Sequence, residues 1–195
     1  MPQPQIATPA IATDPGFLFW APIGTAEPTH TVAGSVFTDA WAVDWLRLGA
    51  TEEGHAFNWS TTTEQITVAE LLDPIKYVST GRSGSIAFAL ASITAANIRR
   101  SLNGGTLTPT GTGATSMTTY TPPALGAEIR CMIGWESQDA TERLIAYQCF
   151  NTGSVSVARR RGAAKATLPV EYALEVPAAG QPFKYIAAGT SRIGV

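Results

Sequence analysis

Hydrophobic and polar positions alternate in short runs along this chain, and Gly, Pro, Ser and Thr interrupt the runs every ten residues or so. That is the pattern of an antiparallel β protein. Phe17 to Trp20, Val43 to Leu48 and His55 to Ser60 are the first strand candidates. In the third, His55, Phe57 and Trp59 share one face and Ala56, Asn58 and Ser60 the other. Gln65 to Val68 is expected to pair with it through the turn Thr61-Thr62-Thr63. The clearest strand runs from Ser85 to Ser92, with Ile86, Phe88 and Leu90 on one side and Ser85, Ala87, Ala89 and Ala91 on the other.

This strand leads into the one good helix signal. Thr94 is placed to cap it, Ala95, Ile98 and Leu102 form an apolar stripe, and Gly104-Gly105 stop it after Asn103. Arg99 and Arg100 fall near its C-terminal end, where positive charge suits the helix dipole. So short a helix needs a sheet to lie on. Residues 103–123 are rich in Gly, Thr and Pro and read as a long flexible loop.

Two further strands put Cys131, Ile133 and Trp135 on one face, and Ile145, Tyr147 and Cys149 on one face. A turn over Ser137 to Arg143 sets Cys131 opposite Cys149. The last strands are Ser154 to Arg160 and Val170 to Val176, the latter alternating Val170, Tyr172, Leu174 and Val176 with Glu171 and Glu175. The division expected is an N-terminal arm over 1–16, a β domain over 17–176, and a C-terminal extension over 177–195 with a final strand around Phe183 to Ala187. The fold class is mainly β, with one short helix and extended arms at both ends.

Composition changes this picture in one respect. Charged residues make up only 14% of the 195 residues, against roughly 25% in typical soluble domains. A surface so poor in charge hints at burial against partners. The net charge of −2 excludes a broad electrostatic commitment to nucleic acid. No run nears the roughly 18 apolar residues of a membrane span. Met1-Pro2-Gln3-Pro4-Gln5 opens no signal-peptide pattern, so a cytosolic site of synthesis is expected.

From Leu48 to Gly105 the chain reads Leu-Gly-Ala-Thr-Glu-Glu-Gly-His-Ala-Phe-Asn-Trp-Ser, then Thr-Glu-Gln-Ile-Thr-Val-Ala-Glu-Leu-Leu-Asp-Pro-Ile. Gly-Arg-Ser-Gly-Ser-Ile-Ala-Phe-Ala-Leu-Ala and Ile-Thr-Ala-Ala-Asn-Ile-Arg-Arg-Ser-Leu-Asn-Gly-Gly follow. Together with Ala21-Pro22-Ile23-Gly24-Thr25 upstream, this order resembles the major tail tube proteins of siphophages, particularly those of actinobacterial hosts. The resemblance covers roughly residues 17–105, and it rests on the order of the motifs, since none is diagnostic alone.

The resemblance implies a β-sandwich or barrel flanked by a helix, closed into hexameric rings by sheet augmentation. The rings stack into a tube through an extended loop and the terminal arms. It implies further partners: a tape measure protein, and the tail terminator and distal tail proteins. Double-stranded DNA would pass through the lumen without specific binding, in a virion tail assembled in the host cytoplasm. The segment 72–84 is the candidate inter-ring loop, with Asp73, Pro74, Ile75, Lys76, Tyr77, Val78 and Arg82 as contact residues; the alternative is a surface loop folded back on its own domain. Arg159, Arg160 and Arg161 form the basic cluster, expected at a subunit interface or on the exterior rather than gripping phosphates in a lumen. The rival readings are a capsid decoration or head–tail joining protein and, from another class, a carbohydrate-binding β-sandwich argued only from the five tryptophans.

Residues for chemistry are few. His30 and His55 are the only histidines, too few for most zinc sites. Cys131 and Cys149 are expected to be reduced, buried small hydrophobes. Gly111-Thr112-Gly113 lacks the Gly-Lys-Ser/Thr of a phosphate loop. The expectation is therefore no catalytic residue, no metal and no cofactor.

Overall fold

The computed structural model of the chain describes residues 15–69, 73–157 and 166–189. Most of the expected N-terminal arm and the triple arginine 159–161 lie outside these residues. The elements run β1 (Phe17–Pro22), β2 (Val32–Ala33), β3 (Val36–Phe37), β4 (Leu46–Arg47), β5 (Thr51–Ile66), β6 (Lys76–Leu90), α1 (Ala95–Ser101), β7 (Thr106–Thr110), β8 (Met117–Thr121), β9 (Cys131–Glu136), β10 (Glu142–Asn151), β11 (Leu168–Leu174) and β12 (Phe183–Ala187). The architecture is mainly antiparallel β with one short helix, in a sandwich- or barrel-like arrangement.

The main sheet has the order β4-β1-β9-β10-β11-β6-β5. On the side of β10 away from β9 the sheet forks: Glu142–Ala146 pair with β12, and Cys149–Asn151 pair with β11. The chain leaves β11, loops out over 175–182 and returns as β12. The far strand β5 then curls back over the sheet. His55 lies 4.9 Å from Trp135 of β9, and Phe57 lies 4.9 Å from Phe183 of β12, measured between ring centroids. That closure makes one apolar interior.

Alternation decides what fills it. Leu18, Trp20, Ile133, Trp135, Leu144 and Ala146 point into the main core with Ile86, Phe88, Leu90, Val170 and Tyr172 from the curled half. Their neighbours Phe19, Ala21, Met132, Ile145 and Tyr147 form a second cluster on the outer face. Trp41 and Trp45, carried on the 23–45 excursion, cover that outer face. Gly134 is glycine for this reason: any side chain there would run into both indole rings. Arg143, nine-tenths or more buried, fastens the excursion. Its guanidinium donates to Glu136 (2.5 Å) and to the carbonyls of Thr29 (3.0 Å) and Asp39 (2.5 Å).

The helix starts as expected, with the Thr94 hydroxyl accepting from the Asn97 N–H (3.1 Å). Its buried face differs from the apolar stripe. Asn97 and Ser101 are buried while Leu102 is exposed. Asn97 donates to the carbonyls of Leu48 (3.0 Å) and Ser92 (2.9 Å), so polar bonding joins Ile98, the one member of the expected stripe packed on the main core, in docking this helix. Asn103 and Asn151 exchange hydrogen bonds at 2.8 and 2.9 Å and tie its C-terminal end to β10.

Several expected elements are corrected. Thr61-Thr62-Thr63 is no turn: β5 runs straight through it and pairs with β6, because consecutive β-branched residues favour extended chain. The strand expected from Ser85 begins at Lys76. Val43 to Leu48 keeps only two paired residues, since the Trp45 N–H turns back to the Ala42 carbonyl (2.9 Å) and its indole donates to Ala26 (2.9 Å). The loop expected over 103–123 contains the hairpin β7–β8, where Pro109 is tolerated because a two-stranded ribbon has free edges. Ser154 to Val157 is not strand, although Val155 and Val157 pack on the core. Ile145, Tyr147 and Cys149 do not share a face: a register shift between Ala146 and Cys149 returns Cys149 to the main core, still opposite Cys131. Val176 lies beyond the end of β11 and is exposed.

Candidate interaction surface

Strands β5 and β6 begin inside the body and end outside it. From Ile86 to Leu90, alternate β6 residues are buried. From Lys76 to Arg82 every β6 residue is exposed, as is every β5 residue from Asn58 to Ile66. Beyond the Asn58–Ser85 pair the two strands therefore form an arm with solvent on both faces. Its ladder runs from Trp59–Gly84 to Ile66–Lys76, with one irregularity between Thr62 and Thr63. The Ile75 N–H donates to the Ile66 carbonyl (2.9 Å) and ties the strands at the distal end. Polar residues alternate with apolar ones that this exposed position does not need: Ile66 (47% exposed), Ile75 (56%) and Tyr77 (58%).

The proposed contact residues separate along this arm. Asp73, Pro74 and Ile75 lie at its tip, and Lys76, Tyr77 and Val78 start β6. Arg82 sits much closer to the body, paired with Thr61. The segment from Lys76 on is thus strand and not loop. Leu72 lies outside the described residues, as do Arg159, Arg160 and Arg161.

At the root of the arm is a cleft of about 550 Å³ that the sequence did not reveal. Trp59 lies over Gly84, where a Cβ would stand 2.6 Å from the indole. Its other side meets Phe183 with ring centroids 5.1 Å apart. Leu174, Val176, Pro182 and Arg82 line the cleft with them. The alternation of Phe57 and Trp59 was visible in the sequence. The partner Phe183 was not, because β12 reaches it only through the fork in the sheet.

Several groups that carry chemistry elsewhere are buried or hydrogen-bonded within the described residues. Cys131 and Cys149 are free thiols; burial pushes the Cys131 thiol up to about 12 and the Cys149 thiol well above its usual range. His55 is held below its ordinary pKa by burial against Trp135, partly opposed by the nearby Pro15 carbonyl, which accepts from the Trp135 indole (2.9 Å). Glu27 accepts from Tyr147 (2.7 Å) and Lys184 (3.0 Å) and lies 3.3 Å from His30. Burial alone would raise that carboxyl, but these bonds together bring it below the ordinary range. Among the described residues no three His, Cys, Asp or Glu side chains stand close enough to hold a metal ion. Among the same residues no helix is long and apolar enough to cross a membrane.

No model of a known protein family matches the chain, and no curated protein matches it at a significant level.

Proposed function

We propose that this chain is a structural subunit of a long-tailed bacteriophage: hexameric rings of it stack, around a tape measure protein, into the tail tube that conducts the genome. One observation carries the reading: the β5–β6 arm projects with both faces in solvent and holds Ile66, Ile75, Tyr77 and Val78 exposed. An isolated two-stranded ribbon is marginal in water, and exposed apolar residues grouped on one are characteristic of a contact surface. The free edges of β5 and β4 supply backbone groups for neighbours in a ring, which would remove the exposed edges that invite uncontrolled pairing. The low charge content is consistent with a surface largely covered in an assembly. On this reading the protein is no enzyme, takes no cofactor, and lets double-stranded DNA pass through the lumen without specific binding. It would be assembled in the host cytoplasm and located in the virion tail, ending against terminator and distal tail proteins.

Negative-stain electron microscopy of the purified protein across a concentration series tests this directly. Rings with a central hole, or striated tubes of uniform width, are expected. Closed rings that never stack would favour the decoration or head–tail joining alternative. Monomers that remain monomers with the tape measure protein added would end the tube reading. The half-exposed Trp59 beside Arg82 favours one second reading, a carbohydrate-binding module; quenching of its fluorescence by oligosaccharides would support that instead.

A further inference from the structure

The arm carries an unsatisfied apolar end, and its own root carries an unsatisfied apolar cleft. Trp59 and Ile66 are seven positions apart on one continuous strand, roughly 23 Å at about 3.3 Å per residue. The distal end therefore cannot fold back into the cleft of its own chain. Every copy presents both a projecting apolar plug and an open apolar socket.

We infer that the cleft between Trp59, Phe183, Leu174 and Val176 receives the distal end of the arm of a second copy, Ile75 and Tyr77 entering against the indole. This rests on the tube reading above and deepens it by naming the receiving surface. Charge selects the same occupant. Among the described residues Arg82, which lines the cleft, has no carboxylate partner, and neither Glu64 nor Asp73 near the distal end has a cation partner. Seating the arm brings Glu64 and Asp73, which outnumber the single cation Lys76 at that end among the described residues, toward the unpaired guanidinium. A plug and socket at different places on one surface make a heterologous contact, which propagates head to tail instead of closing as a two-fold dimer. The socket is built rather than accidental: Gly84 clears the floor for the Trp59 ring, and Phe183 holds that ring edge-on.

The test uses two singly substituted chains, Ile75→Cys and Val176→Cys, mixed in equal amounts, assembled and mildly oxidised. The native thiols are buried and do not compete. A covalent dimer that forms in the mixture and not in either chain alone is the expected result. Assemblies visible by microscopy without that dimer would overturn the socket and leave the tube reading standing. No assembly at any concentration, with the tape measure protein present, would overturn both. A charge pair supplies the second measurement. Arg82→Glu is expected to raise the concentration needed for assembly about tenfold or more, since like charges are then opposed. Adding Asp73→Arg to the same chain should restore it. A threshold unmoved by Arg82→Glu would count against the seating.

Discussion

The strands β9–β10 and the arm formed by β5 and β6 are both antiparallel ribbons of alternating residues, yet they are held by different forces. Ile133 and Ile145 in the first are completely buried, one on each face, beneath the curled half-sheet on one side and the Trp41–Trp45 cover on the other. In the second, from Ser60 to Ile66, neither face touches the body and the cross-strand ladder alone sets the conformation. Burial of a large aliphatic side chain is worth about 1.5–3 kcal/mol. The body collects that stabilisation at many positions and the distal arm at none. Folding and interaction are thereby divided between regions: the body can hold its structure while the arm's apolar side chains remain available.

Breaking the body should have the largest effect. Arg143→Met removes the buried guanidinium that serves Glu136 and the carbonyls of Thr29 and Asp39, leaving the carboxylate and both carbonyls short of a donor. A loss of about 3–5 kcal/mol is expected in chemical denaturation, together with exposure of Trp41 and Trp45 readable as a red-shifted emission. Ile133→Ala should cost about 2–5 kcal/mol by opening a cavity in a fully buried site. Tyr77→Ala in the arm should stay within about 0.5 kcal/mol and act on assembly alone. If Tyr77→Ala destabilised the isolated protein as much as Ile133→Ala, the arm would have to be packed in solution, and the contrast between the two regions would fail.

The thiols sharpen the same contrast by rate. Cys131 and Cys149 face each other within the body, and burial raises both above the range where thiolate forms at neutral pH. Since the thiolate is the nucleophile, neither should react with a disulfide reagent at pH 8 until denaturant is added. Cysteine introduced at Ile75 should react at once. Prompt modification of the native pair would mean that the β9–β10 region opens far more readily than its packing implies.

How much of this was legible in the chain depended on which force shaped each part. Where burial on one face wrote an alternating pattern, as at Ile86-Phe88-Leu90 and Val170-Tyr172-Leu174, the buried part of each strand is legible, while the exposed start of β6, from Lys76 to Arg82, is not. Thr94 and Gly104 marked the helix limits because caps are local chemistry. The distal arm was misread as turn and loop, since no burial imposes a face on Thr61 to Glu64 and a run of threonines carries strand propensity without alternation. The shift before Cys149 was invisible for a related reason: one extra residue in a ladder leaves no mark in composition. The socket was the least legible of all. Trp59, Arg82, Val176 and Phe183 lie far apart in sequence and meet only because β12 returns to the fork beside β11. Of the residues expected to act together in one loop, Asp73 to Val78 fall at the tip and the start of β6, whereas Arg82 belongs to the root.

The smallest effect expected lies at the boundary between the two regions, where β5 passes His55. Its ring rests against Trp135, its Nδ1 is buried without a partner, and burial lowers its pKa from the ordinary 6.5. The folded chain thus favours neutral His55, while the unfolded chain takes up a proton as pH falls through about 6.5. Stability contributed here is full above that value and declines as the pH drops below it. Glu27 acts in the same direction but lower, because its carboxyl is held below an ordinary value of 4.5 and its contribution fades only as pH falls through that range. Between pH 6.5 and 5 the difference in slope between the parent chain and a variant lacking this imidazole therefore reads the His55 contribution. His55→Phe keeps the ring contact with Trp135 and removes the titration. Its melting temperature should change less over that interval than that of the parent chain. Equal slopes would mean that His55 is solvated in solution, and that the arm's freedom extends past Phe57 into the body.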